Sequence, residues 1–375
     1  MGFRGAGKTG ALLLLLGTCA GAQQPGAWQL SLRLRETYDT NVRLRSDPNP
    51  EDFLTSATAV LARRFRGQRT TATLSATGGR LWYLERPDRD RWHYAGSLEL
   101  ASRLSPRAQL IFSDAFISTY TNEVVDLAED GTLLQLSALR RNRARLGLAL
   151  GLSATTSLDL ITLHDVNDYA DPTLVDGRRL GAGATLARRL SARTGATLAY
   201  DFQKNDRTRE VSQVHSASLG LSQAAGARTQ LSVSGGIGHV RSAGRTATRL
   251  VGSAGLVYRL QRGSISLQYQ RRIRQTFGLG RETTNDSLDW NLQHRLGRRL
   301  GVNAGLTYVH AVGAFVRTDE LEAQKGQAGL SFQATRDLSL FAGYVYQRRT
   351  RAFDTSRDRA SAHRPNIQVS YNLGW

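Results

Sequence analysis

The carboxyl end of the chain alternates between apolar and polar residues over Ile367-Gln368-Val369-Ser370-Tyr371-Asn372-Leu373-Gly374-Trp375. Successive side chains of a β-strand point to opposite faces, so this spacing gives one apolar face and one polar face. The stretch therefore predicts a strand with a single apolar face. The residues on that face are Ile367, Val369, Tyr371, Leu373 and Trp375.

The same alternation recurs along the chain from residue 28 onward. It is clear in residues 28–35, 264–272, 288–295 and 327–333. The second face carries Ser, Thr, Asn, Gln, Gly, Asp and Arg, as expected for a wall that faces a water-filled lumen. The apolar face ends repeatedly in aromatic residues, as at Tyr200, Tyr308, Tyr344 and Tyr371, which is typical of the aromatic girdles of membrane barrels.

Two kinds of connection separate the predicted strands. The short connections are basic and lie at residues 64–69, 103–107, 189–193, 259–263, 295–299 and 336–338. The long connections are acidic and polar and lie at residues 45–52, 85–91, 122–135, 169–178, 313–325 and 351–365. Short turns at one rim and long loops at the other are typical of outer-membrane barrels, whose short turns face the periplasm.

The pattern predicts an all-β fold, a closed antiparallel transmembrane outer-membrane β-barrel without a plug domain. Counting the strands gives eighteen, and sixteen is the alternative because residues 122–143 are loosely patterned. The barrel is expected to form one domain over residues 23–375.

Residues 1–22 predict a cleaved secretory signal peptide. Arg4 and Lys8 supply positive charge, a short apolar stretch follows, and Ala20-Gly21-Ala22 forms the cleavage site. The single cysteine, Cys19, either leaves with this peptide or carries a lipid. Export of this kind places the mature chain in the outer membrane of a Gram-negative bacterium.

Composition limits the other classes of protein. The chain has 375 residues, 50 Lys and Arg against 31 Asp and Glu, a formal net charge of +19 and a mean hydropathy of −0.36. No apolar run approaches the roughly 20 residues of a spanning helix, so a helical membrane bundle is excluded. A basic chain can bind nucleic acid, but an exported chain does not meet it, and no nucleic-acid partner is expected.

Two short motifs carry a family resemblance. The end of the first strand, Tyr38-Asp39-Thr40-Asn41-Val42, resembles the Tyr-Asp-x-Asn-Val stretch of the second family of bacterial beta-barrel porins, in which Tyr38, Asp39 and Asn41 match. The terminal Tyr371, Leu373 and Trp375 resemble the signal that the barrel-assembly machinery recognises. The layout as a whole is similar to Wzp-type outer-membrane barrels of polysaccharide secretion. This resemblance implies a conduit that works with a periplasmic polysaccharide-export protein.

The sequence offers no cluster of catalytic or metal-binding residues. It lacks a Gly-x-Ser-x-Gly elbow, a His-Glu-x-x-His pair and a phosphate-binding glycine loop. His164 and Asp165 are adjacent, but neighbours in a strand face opposite sides. An enzyme is therefore not expected, and neither is a cofactor or a metal site.

Strand parity instead points to a charged lumen. An arginine facing lipid at mid-bilayer costs about 2–4 kcal/mol, so the arginines within the strands are expected to face inward. Arginine binds carboxylate and phosphate, which favours a passage for anions. The alternative is a lumen in which these arginines pair with carboxylates. The predicted lumen residues are Arg33, Arg35, Arg80, Arg145, Arg272, Arg274, Arg295 and Asp289.

Three functions fit these observations. The first is export of an exopolysaccharide across the outer membrane, with the polymer as substrate and a periplasmic export protein as partner. The second is a general diffusion porin for small, preferentially anionic solutes. The third is a structural or adhesive surface barrel. The arginines of the short turns either dock a periplasmic partner, contact lipid headgroups or are simply solvated.

Overall fold

A computed structural model describes residues 28–44, 51–121, 137–207, 210–276, 281–315, 320–353 and 356–374. These residues form eighteen β-strands in one sheet and a short 3-10 turn at Pro87–Arg89. No helix in these ranges is long and apolar enough to cross a membrane.

The strands are β1 (Trp28–Asp39), β2 (Asp52–Arg66), β3 (Thr70–Tyr83), β4 (Arg91–Ser105), β5 (Ala108–Tyr120), β6 (Ala138–Gly151), β7 (Thr156–Tyr169), β8 (Gly177–Arg189), β9 (Thr194–Arg207), β10 (Val211–Ala225), β11 (Thr229–Ser242), β12 (Arg245–Leu260), β13 (Gly263–Thr276), β14 (Arg281–Arg295), β15 (Leu300–Gly313), β16 (Glu320–Gln333), β17 (Leu338–Phe353) and β18 (Ser356–Gly374).

The sheet closes on itself. Each strand pairs antiparallel with the next, and β18 pairs with β1 from Gln29 opposite Gly374 to Thr37 opposite Asn366. The Ser31 hydroxyl also donates a hydrogen bond of 2.7 Å to Asn372 Oδ1 across this seam. Closure leaves no unpaired strand edge, which a spanning sheet requires because lipid cannot satisfy backbone polar groups. The prediction of a closed eighteen-stranded barrel is confirmed, and the alternative of sixteen strands is wrong.

The outer face is apolar, as the alternation predicts. Leu219, Leu250 and Ile367 are 67%, 72% and 64% exposed on the isolated chain. A water-soluble protein would bury side chains of this kind, whereas the hydrocarbon core of a membrane covers them. Tyr200 and Tyr344 add exposed aromatic rings to the same face.

The two rims differ in the length of their connections. At one rim the strands join through short turns, such as residues 67–69 between β2 and β3 and residues 261–262 between β12 and β13. The described ends of the chain, Trp28 and Gly374, lie at this same rim. Strands β1 and β3 end at the opposite rim, where residues 84–90 form a longer connection to β4. The short-turn rim is periplasmic in barrels of this layout, and the long-loop rim is external.

Candidate functional site: the lumen and its constriction

Residues that pair directly across neighbouring antiparallel strands share a face of the sheet. The leucines of β1 pair with apolar residues of β18, as Leu32 does with Tyr371, so the arginines between them face the lumen. Cross-strand rows carry this assignment around the barrel. On the inner face the structure places Arg33, Arg35, Arg145, Arg272, Arg274, Arg295 and Asp289.

The prediction that Arg80 faces the lumen is wrong. Arg80 pairs with Ala57 and Trp92, which share the outer face with Leu34. Its guanidinium lies 5.5 Å from the Trp82 ring and 5.7 Å from the Trp92 ring. The position near the external rim explains why the charge is tolerated, because the cost of an outward arginine falls toward the interface, where aromatic rings collect.

A charged cluster that was not predicted from the sequence lies on the inner face of β6 and β7. Arg141 contacts the Asp165 carboxylate through Nε at 3.1 Å and Nη2 at 3.0 Å, and Arg143 Nη2 lies 3.0 Å from the same carboxylate. Asp165 is fully buried, and Asn167 donates a further hydrogen bond to it. Two guanidinium groups therefore meet one buried carboxylate on the inner wall. Arg141, Arg143 and Arg145 alternate along β6, which was the signal available in the sequence.

Three inward arginines lie apart from the described carboxylates. Within the ranges that the structure describes, no carboxylate lies at ion-pair distance from Arg33, Arg145 or Arg295. The Asp289 carboxylate accepts a hydrogen bond of 2.8 Å from Thr307. The lumen therefore carries arginine charge that carboxylates in the described wall do not cancel.

The lumen narrows at the external rim because the chain turns inward after β1. Residues 40–44, here called the inner segment, lie on the inner wall. Val42 packs against Leu54, Leu81 and Tyr83 of β2 and β3 and is 1% exposed. Leu44 is 4% exposed and packs against inner-face residues of β15, β16 and β18. Those residues are Val309, Ala323, Ala360 and Ala362.

Polar contacts hold the inner segment at both ends. The Asp39 carboxylate pairs with Arg364 Nε at 2.7 Å, and Arg349 Nη2 donates a hydrogen bond of 2.9 Å to the Leu44 carbonyl. Thr40 exchanges hydrogen bonds with the backbone of His363. Leu44 has a φ of 51°, a left-handed conformation that costs energy for a leucine.

The motif that suggested the family resemblance thus forms this turn. Asp39 faces inward, and its Oδ1 accepts a hydrogen bond of 2.9 Å from the Asn41 backbone N–H. Tyr38 lies on the opposite face, where its ring packs against Phe53 at 5.0 Å. Asp39 and Asn41 therefore shape the start of the inner segment.

A second inward contact lies on the inner wall of β10 to β12. Ala314 is fully buried against Val214, Val240 and Ile273, and Phe315 packs on the same cluster. Arg249 Nη2 donates a hydrogen bond of 2.8 Å to the Ala314 carbonyl. The external end of the lumen is therefore narrowed from two parts of the wall.

Arginines and carboxylates share the external mouth beside the inner segment. Burial, together with the neighbouring charges of Arg43 and Arg86, lowers the pKa of Arg89 from its ordinary value. Arg89 also accepts a hydrogen bond of 3.0 Å from the Tyr120 hydroxyl through its backbone carbonyl. The nearby Asp88 carboxylate acts on the pKa of Arg89 in the opposite direction, so charges of both signs lie side by side at this mouth.

Some predicted features lie outside the described residues. They are the signal peptide at residues 1–22, Cys19, the loop at residues 122–135 and the terminal Trp375. Of the predicted assembly signal, Tyr371 and Leu373 are described and lie on the outer face, exposed by 41% and 37%.

Comparison with solved structures identifies the fold. The chain is similar to Acinetobacter baumannii OccAB4 with a TM-score of 0.52 and 11% identity, over 94% of this chain and 99% of that one. It is similar to the outer membrane protein opdK from Pseudomonas aeruginosa with a TM-score of 0.50 and 13% identity, over 95% and 100%. The chain is an outer-membrane β-barrel. No protein-family model and no curated protein matches this barrel.

The comparisons correct one expectation and support another. The two solved structures named above are an Opd and an Occ protein, and the expected likeness to Wzp-type polysaccharide barrels is not supported. The predicted location in the outer membrane as an integral protein is confirmed by the fold and by the apolar outer wall.

Proposed function

We propose that the barrel is a diffusion channel for small solutes and that it prefers anions. The observation that carries this proposal is the arginine charge of the inner wall at Arg33, Arg145 and Arg295, which lie beyond ion-pair distance of the described carboxylates. Inward arginines lower the energy of an anion in the lumen and raise that of a cation.

The inner segment supports small solutes over a polymer. It occupies the inner wall from β2 and β3 across to β15, and Ala314 narrows another part of the same end. A secreted polysaccharide chain needs an unobstructed passage, which these packed contacts oppose. Export of an exopolysaccharide with a periplasmic partner therefore gains no support from the lumen.

Assembly is proposed to depend on the last strand. Tyr371 and Leu373 present the outward residues of the terminal signal, and β18 is also the strand that closes the barrel against β1. Recognition of this strand by the barrel-assembly machinery fits both facts.

Ion selectivity tests the proposed function. The purified protein is reconstituted in planar bilayers under a KCl gradient, and the reversal potential gives the ratio of chloride to potassium permeability. One charge about 5 Å from an ion in water is worth roughly 0.8 kcal/mol, or about fourfold in ion occupancy. The triple variant R33Q/R145Q/R295Q should therefore lose most of the preference for chloride.

A matched control separates lumen charge from net charge. Arg241 is exposed and shares the outer face of β11 with Ile237, so R241Q removes a charge without changing the lumen. This variant should keep the selectivity of the unmodified protein. A protein that does not conduct, or a triple variant with unchanged selectivity, would overturn the proposal.

A further inference from the structure

Phe341 is an aromatic side chain on a stretch of inner wall that is otherwise polar. It pairs with Ser331 on one side and with Gln368 on the other, and Gln368 in turn pairs with Arg35. Phe341 lies close to the periplasmic start of β17 and is partly exposed. Such a ring on a wetted wall offers an apolar surface to a passing solute.

Two glycines let this ring lie against the wall. A Cβ atom at Gly343 would lie 2.5 Å from Phe341 Cε1, and one at Gly329 would collide with the other edge of the ring. Gly329 and Gly343 pair directly, so together they form a flat floor beneath the ring. The ring therefore presents its opposite face to the lumen.

Amide and hydroxyl side chains surround the ring. One cross-strand row lies next to Phe341 on the inner face and consists of Gln293, Asn303, Gly329, Gly343 and Asn366. A cavity of about 750 Å³ opens between β12 and β17 at this height. Its lining includes Gln293, Arg295, Asn303, Ser331 and Phe341.

Arginines stand on either side of the ring. The cross-strand row that contains Phe341 has an arginine at each end. In the order of the strands from β14 to β1, it consists of Arg295, Gly301, Ser331, Phe341, Gln368 and Arg35. With strands about 4.8 Å apart, the Arg35 backbone lies about 10 Å from that of Phe341 and the Arg295 backbone about 14 Å away. Both distances are within reach of a bound monosaccharide and an extended arginine side chain.

We propose that this wall is a binding site for a small sugar acid, a hydroxylated ring that carries a carboxylate. The C–H face of the sugar packs on Phe341, its hydroxyls exchange hydrogen bonds with the amides, and an arginine binds its carboxylate. The amides distinguish this ligand from an aromatic acid, which would stack on the ring and leave them unused. The site rests on the proposed channel function, because it lies in the path of a solute.

Block of single-channel current tests the site. Glucuronate is added to the protein in planar bilayers in KCl, with glucose, propionate and benzoate as separate comparison solutes. Glucuronate should interrupt the current at concentrations about tenfold below those of glucose and propionate, because each of these lacks one of the two recognition groups. Benzoate should block better than propionate but less well than glucuronate, because it stacks on Phe341 and binds an arginine but leaves the amides unused.

Variants at the ring give the matched test. F341L removes the aromatic face, and G329A displaces the ring without changing any charge, so each should weaken glucuronate block about tenfold while the chloride preference stays. G326A is the control, since Gly326 lies on the same strand and a Cβ there meets open space. It should behave as the unmodified protein does.

The outcomes separate this site from the channel function. A protein that conducts and prefers chloride, but that glucuronate blocks no better than propionate, overturns the sugar-acid site and leaves the channel intact. Equal block by benzoate, or block that F341L and G329A leave unchanged, also overturns it. A protein without conductance overturns the channel function itself.

Discussion

The inner segment should control the conductance of the barrel through two apolar anchors. Val42 and Leu44 are buried at 1% and 4% exposure against two separate patches of the inner wall, on β2 and β3 and on β15, β16 and β18. Changing both to serine (V42S/L44S) removes these anchors but keeps the length of the connection. The segment should then leave the wall and widen the external end of the lumen.

The magnitude follows from the burial of the two side chains. Burying a valine or leucine side chain stabilises by about 1.5–3 kcal/mol, so both together contribute about 3–6 kcal/mol. At 1.4 kcal/mol per factor of ten, the double variant shifts the population toward the released segment by about 10²- to 10⁴-fold. The Asp39–Arg364 ion pair and the Arg349 hydrogen bond remain and oppose part of this shift.

Single-channel conductance in planar bilayers measures the effect. V42S/L44S should raise the conductance of the open channel, whereas V42I/L44M keeps the apolar anchors and should match the unmodified protein. The temperature at which the barrel unfolds on a heat-modifiability gel shows whether the wall is intact. An intact V42S/L44S barrel with unchanged conductance would refute the argument that the inner segment narrows the lumen.

Two further predictions concern the wall itself. A Cβ at Gly236 would collide with the backbone of β10, so G236A should destabilise the barrel by about 1–3 kcal/mol and lower its unfolding temperature on a heat-modifiability gel. The control G235A changes a neighbouring glycine that has open space around it and should leave this temperature unchanged. Equal unfolding temperatures for the two variants would contradict the prediction. D165N removes the buried carboxylate that Arg141 and Arg143 share, so it should lower the free energy of unfolding by about 3–5 kcal/mol. Unfolding in guanidinium chloride, followed by tryptophan fluorescence, would measure this change. D165E restores the charge and should recover part of that loss, and a D165N barrel as stable as the unmodified one would count against the cluster.

The regular part of the barrel could be predicted from the sequence. In the last strand, from Ile367 to Leu373, each apolar residue faces lipid and each polar residue faces water, so the alternation reports the two environments directly. The same reasoning located the strands and the short turns between them. It depends only on local spacing, which the sequence contains.

The external end of the lumen could not be predicted in this way. Leu81, Val214 and Val240 are apolar yet face inward, because chain from distant connections covers them. Around Arg80 both faces of the strand are therefore apolar or aromatic, and parity had no polar face for reference. Val42, which packs against Leu81, comes from the turn after β1, and only the folded structure shows that the two meet.

The charged cluster on β6 and β7 could not be predicted from the sequence for a related reason. Arg143 and Asp165 pair directly across β6 and β7, although their positions are 22 residues apart in the sequence. His164 is the sequence neighbour of Asp165, but the two side chains face opposite sides of the wall. Cross-strand partners, rather than sequence neighbours, decide which charges meet in a barrel.

The seam between β1 and β18 also sets the order in which this protein becomes stable. Ser31 and Asn372, which join across that seam, are 341 residues apart in the chain. Loop-closure entropy makes such non-local pairing slow, and the first strand has no final partner until synthesis of the last one ends. The barrel therefore closes only after the last strand has been synthesised, however early the local hairpins form.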